Sequence, residues 1–119
     1  MGLLDELRLL GANVDEAVER MMGNEAFYQK MLGKFPAMFE STALSTDFDG
    51  SDCGPAIEKA HTLKGVTGNL SLTPLYEAYT EITNLLRAGE VEPARELLIG
   101  IQPVQEKIVA CIKKHCNIS

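Results

Sequence analysis

Residues 60–70 read AHTLKGVTGNL, a stretch that places His61, Lys64, Gly65 and Gly68 within two turns of one helix. An imidazole with an ordinary pKa of ~6.5 is mostly a free nucleophile at neutral pH. Lys64, one turn on, shares its face, where an ammonium can reach an anion carried on the ring. Each glycine inside a helix costs ~1 kcal/mol relative to alanine, so two beside the histidine need a reason. At ~100° per residue, Ala56, Ala60, Leu63, Val66, Thr67 and Leu70 gather on a core side. Ile57, His61, Lys64, Gly65 and Gly68 gather opposite. His61 is therefore predicted to face solvent, with Gly65 and Gly68 clearing space for a partner and Ile57 offering an apolar contact one turn earlier. Lys59 falls near the core side, and its stem is expected to lie along the core with its charge in water.

The chemistry open to such a histidine is narrow. No serine or cysteine motif completes a triad with it, and no glycine-rich loop is present to hold a nucleotide. As a covalent phosphoryl acceptor it needs no machinery of its own, provided a partner brings the metal ion and the in-line geometry. A cleared surface flanked by a cation and a hydrophobe suits docking by a macromolecule, whereas a small-molecule enzyme needs a concave pocket.

The elements that must position this helix are also helical. LLDELRLL is a short amphipathic stretch closed by Gly11, and NVDEAVERMMG follows, with Asn13 and Glu16 spaced as a capping box. Asn24 caps the next helix, in which Phe27, Met31, Leu32 and Phe35 keep helical spacing. Pro36 predicts a kink or restart there, with the rod ending near Leu44. STDFDGSDCG (45–54) reads as a loop, and Pro55 suits the first turn of the histidine helix. Thr73 is expected to cap a helix with Pro74 at its first position, a stripe of Leu75, Ala78, Tyr79, Ile82, Leu85 and Leu86, and Gly89 at its end. Pro93 is expected to start the last helix, carrying Ala94, Leu97, Leu98, Ile101, Val104, Ile108 and Ile112, with bends at Gly100 and Pro103. The expected fold is all-α: one domain over residues 1–119, an antiparallel four-helix bundle with two short N-terminal capping helices.

Composition excludes several classes. The net charge of −6 argues against nucleic acid, which needs clustered Lys and Arg. No apolar run approaches the ~20 residues that span a bilayer, and the expected location is the cytoplasm. Three cysteines, Cys53, Cys111 and Cys116, do not suggest a disulfide framework. Cys111 and His115 lie one turn apart, but two or three donors at a helix end fall short of a four-ligand structural zinc site. Asp47, Asp49 and Asp52 lack the bidentate glutamate of a calcium loop. No metal is therefore expected.

The motif His61-x-Leu63-Lys64-Gly65, in an acidic all-helical chain of this length, resembles the signature of histidine-containing phosphotransfer (HPt) domains of two-component phosphorelays. The resemblance implies that a receiver domain, of a response regulator or hybrid histidine kinase, passes a phosphoryl group from its phosphoaspartate to His61. A second receiver then takes it on. It further implies Nε2 as the acceptor atom, Lys64 as the residue steadying the phosphoryl group, clearance at Gly65 and Gly68, and magnesium supplied by the receiver. The carrier itself has no kinase activity and no cofactor, and a monomer is expected. At position 71 the family often has glycine where this chain has Ser71. Two rival readings are a non-catalytic helical interaction bundle and the phosphoacceptor domain of a chemotaxis-type histidine kinase.

Overall fold

A computed structural model describes residues 2–42, 44–46, 48 and 53–116. Among them the chain is all-helical: α1 (Leu3–Leu9), α2 (Val14–Arg20), α3 (Glu25–Thr42), α4 (Gly54–Asn69), α5 (Thr73–Arg87) and α6 (Val91–His115). Among the described residues, no helix is long and apolar enough to cross a membrane. Asp47, Asp49 and Asp52 lie outside the described residues.

Helix starts follow local chemistry. The Glu16 N–H donates to Asn13 Oδ1 at 3.2 Å, and the Phe27 N–H to Asn24 Oδ1 at 2.9 Å, so both asparagines satisfy an orphan donor of a first turn. Two expected starts differ. Thr73 is the first residue of α5, not its cap; Leu72 holds the cap position, and Pro74 is the second helical residue. α6 opens at Val91, two residues before Pro93. Both prolines still lie in first turns, where a missing N–H costs nothing. α3 runs on through the buried Pro36 and ends at Thr42, short of Leu44, and α6 continues through Pro103.

The stripes then find partners. α4 and α6 both pack on α5, both also touch α3, and α1 lies on α6. Tyr28, Leu32 and Phe35 of α3 are buried with Ala60 and Leu63 of α4, Leu75 and Ile82 of α5, and Leu98, Ile108 and Ile112 of α6. Full burial of such an aliphatic side chain contributes ~1.5–3 kcal/mol, which explains a core without tryptophan. Arg95 of α6 ties down the described residues between α3 and α4. Its Nε donates to the Thr46 carbonyl at 2.9 Å, and its guanidinium lies 5.2 Å from the centroid of the Phe48 ring.

Within the core, the Tyr79 hydroxyl donates to Gln105 Oε1, joining α5 to α6, and burial pushes the phenol above its ordinary pKa. Removing one partner of a buried pair orphans the other, at ~1–3 kcal/mol, whereas replacing both by apolar groups is nearly neutral. Tyr79→Phe is accordingly expected to lower stability to urea by that amount, and Tyr79→Phe with Gln105→Leu to recover most of it. Additive losses in the double variant would contradict the pairing.

Candidate functional site

α4 has two faces with different duties. Ala56, Ala60, Leu63 and Thr67 are buried, and the Thr67 hydroxyl meets its burial by donating to the Leu63 carbonyl at 2.7 Å. His61 and Gly65 are exposed on the other side, with Lys64 half-buried between them. Among the described residues, no hydrogen bond or ion pair holds the His61 or Lys64 side chain. Both are therefore available to an incoming group. Ile57 is half-buried and packs against the core, so it is less of a surface contact than its spacing suggests. Val66 is also only half-buried, and Lys59 is exposed.

The C-terminal turn of α4 is fastened by three other segments. Arg20 Nη1 donates to the carbonyls of Gly68 at 3.2 Å and Asn69 at 2.7 Å. The Tyr28 hydroxyl donates to the Leu70 carbonyl at 2.7 Å, and the Asn13 N–H to the Ser71 carbonyl at 2.9 Å. Four successive carbonyls at the helix end thus gain donors from α2, α3 and the residue before α2. The guanidinium also places positive charge at the negative end of the helix dipole. Burial pushes the Tyr28 phenol up to about 12, so it remains a neutral donor at any ordinary pH.

Ser71, at the position where the resemblance leads one to expect glycine, takes up a backbone shape that glycine adopts freely. Its φ is +53°, in the left-handed region, which costs a non-glycine residue roughly 1–2 kcal/mol. The buried hydroxyl offsets that cost by donating to Glu16 Oε1 at 2.9 Å and accepting from Arg20 Nη1 at 3.3 Å. Glu16 in turn pairs with Arg20 at 2.9 Å, so turn and α2 form one network.

These supports surround the histidine with an open cleft of about 550 Å³. His61, Lys64 and Gly65 line it from α4, Glu16 and Arg20 from α2, and Tyr76 and Glu77 from α5. The two glycines serve different ends. A Cβ at Gly65 would meet nothing within 4 Å, whereas one at Gly68 would fall 2.8 Å from Tyr76 Cδ1 and 2.9 Å from Cε1. Gly68 lines the same cleft, but the Tyr76 ring lies where its side chain would go, so this glycine also permits α5 to pack close to α4. Arg20 and Tyr76 escaped the sequence reading. Arg20 is separated from its carbonyl partners by 48 and 49 residues, and Tyr76 stands outside the apolar stripe of α5.

Residues 4–110 match the family described as Hpt domain. Comparison with curated proteins and with solved structures gave no match.

The contrast between the glycines can be measured by urea unfolding. Gly65→Ala should gain up to about 1 kcal/mol from helix propensity alone. Gly68→Ala should gain less or lose stability, because the Tyr76 ring must move, and in a Tyr76→Ala background it should recover the gain. Equal gains at both positions in the wild-type background would contradict the packing role of Gly68.

Proposed function

The chain belongs to the Hpt domain family, and on that premise we propose that it is a phosphoryl carrier acting through His61. The family is one of histidine phosphotransfer in phosphorelays. The observation that carries the assignment to His61 is its exposure without a side-chain partner, beside Lys64 and the bare backbone of Gly65, on an open cleft. The contact cycle of α3, α4, α5 and α6 supports an antiparallel four-helix bundle with α1 and α2 as its cap.

In the transfer, the lone pair of His61 Nε2 attacks the phosphorus of a receiver's aspartyl phosphate. The P–N bond forms as the acyl phosphate P–O bond breaks, and the electron pair leaves on the aspartate carboxylate. Nδ1 keeps the ring proton. The reverse step delivers the phosphoryl group to a second receiver. Lys64 neutralises charge on the phosphoryl oxygens, and Gly65 lets the receiver approach the ring. The receiver supplies the magnesium ion, so this chain carries the group without being a kinase. Its partners are receiver domains of response regulators or hybrid kinases, and the reading describes a cytoplasmic, monomeric carrier.

Incubation with phosphorylated receiver domains, followed by intact mass measurement, tests this directly. Wild type should gain one acid-labile phosphoryl group and His61→Gln none; equal labelling of both would reject the assignment. Lys64→Ala should slow transfer by about tenfold or more, as expected for loss of a charge that acts on the transferred group. Gly65→Gln should keep the helical circular dichroism signal yet transfer far more slowly. A wild-type rate in that variant would show that clearance at Gly65 is not required.

A further inference from the structure

The described residues hold a second group of chemically active side chains, formed by the N-terminal and C-terminal helices. Glu6 of α1, Cys111 of α6 and His115 of α6 each offer one donor atom, and these atoms lie within 4.8 Å of one another. Cys111 Sγ is 3.1 Å from Glu6 Oε2, and His115 Nε2 is 3.0 Å from that same oxygen. Cys111 is buried, while the Glu6 and His115 side chains are 24% and 22% exposed, so water and ions reach one side of the cluster. A cleft of about 390 Å³, lined by Glu6, Cys111 and Lys114 together with Leu9 and Leu10, provides the approach. None of the three donor residues lines the cleft at His61.

We propose that Glu6, Cys111 and His115 form a binding site for a divalent cation of the zinc class, tethering α1 to α6. One sulfur, one imidazole nitrogen and one carboxylate oxygen suit a borderline-soft tetrahedral ion and not magnesium or calcium, which take oxygen ligands. Bond lengths of ~2.0–2.3 Å imply donor separations of roughly 3.3–3.6 Å in a tetrahedral site. The two contacts to Glu6 Oε2 need to open by a few tenths of an ångström, and Cys111 Sγ and His115 Nε2, which lie within 4.8 Å of each other, must settle at that same separation as the two side chains turn about the ion. The ion takes the place of the protons that now link thiol and imidazole to the carboxylate. The thiol proton leaves to solvent, and the neutral ring carries its proton on Nδ1 so that Nε2 can coordinate. Three protein ligands leave a fourth position for water.

Lys114 Nζ pairs with the other carboxylate oxygen, Glu6 Oε1, at 2.9 Å, which leaves Oε2 to the metal. Its exposed side chain can swing away from the added charge. Cys116, next to His115, is not a donor in this arrangement: its Sγ lies 3.7 Å from the position a Cβ would take at Gly33 of α3. The pairing of Cys111 with His115 alone is insufficient for a site. The ligand that completes the set of three, Glu6, comes from the other end of the chain.

The test uses tag-free, reduced, chelator-stripped full-length protein titrated with Co²⁺ and followed by absorbance. One-to-one saturation with a thiolate-to-cobalt charge-transfer band, reversed by Zn²⁺, is expected. Cys111→Ser should abolish the band and Cys116→Ser should leave it intact. Glu6→Gln and His115→Gln should each weaken cobalt binding by more than the ~10-fold that bounds outer-shell changes from below. Zn²⁺ should raise the melting temperature of wild type and not that of Cys111→Ser, with circular dichroism checking that each variant is folded. Because Cys111 is buried, His115→Gln at its half-exposed position carries the test independently. Absence of the band in wild type, its survival in Cys111→Ser, its loss in Cys116→Ser, or unchanged affinity in His115→Gln would each overturn the site.

Discussion

Everything around His61 depends on how the last turn of α4 is held. A helix ends with carbonyls that have no partner within it, and here the carbonyls of residues 68 to 71 receive donors from Arg20, Tyr28 and the Asn13 backbone. Those donors belong to the segments that precede α4 in the chain. The same bonds that satisfy the helix end therefore seat α2 and α3 against it and define one wall of the histidine cleft. Ser71 shows the strength of the constraint, since a left-handed serine is retained where its hydroxyl completes the network with Glu16 and Arg20.

α4 can present an exposed, unpartnered histidine because its other face is committed to the core. Small residues, Ala56 and Ala60, let α4 lie close to its neighbours, and Leu63 fills the space between them. The glycines then divide the opposite face. Gly65 leaves bare backbone beside the histidine, while Gly68 receives the Tyr76 ring and brings α5 near. The helix cost of the first is repaid only if something docks there; that of the second is offset within the fold. This division gives the site a filled flank at Tyr76 and an open one at Gly65.

Much of this was legible in the sequence because it depends on local periodicity. The stripe of α5, the exposure of His61, the Asn13–Glu16 cap and the burial of Ala60 and Leu63 all follow from three-four spacing. What the sequence withheld depends on residues far apart in the chain. Arg20 reaches carbonyls nearly fifty positions away, and Glu6 meets Cys111 and His115 across the whole domain. A helical wheel also treats every position off the core as open, so it assigned Gly68 the same clearance as Gly65. Thr73 misled for a related reason: a threonine before a proline has the composition of a cap, but Leu72 already turns the chain, and its carbonyl accepts the first helical N–H groups.

The chain has two histidines, for which we propose separate duties: His61 as phosphoryl acceptor and His115 as part of the cluster with Glu6 and Cys111. ¹⁵N-histidine NMR during phosphorylation by a receiver domain distinguishes them in one sample. The Nε2 resonance of His61 is expected to shift on phosphorylation and to return when the group passes to a second receiver, with His115 unchanged. A phosphorylation shift at His115, or none at His61 while the receiver loses its phosphate to the carrier, would contradict this assignment.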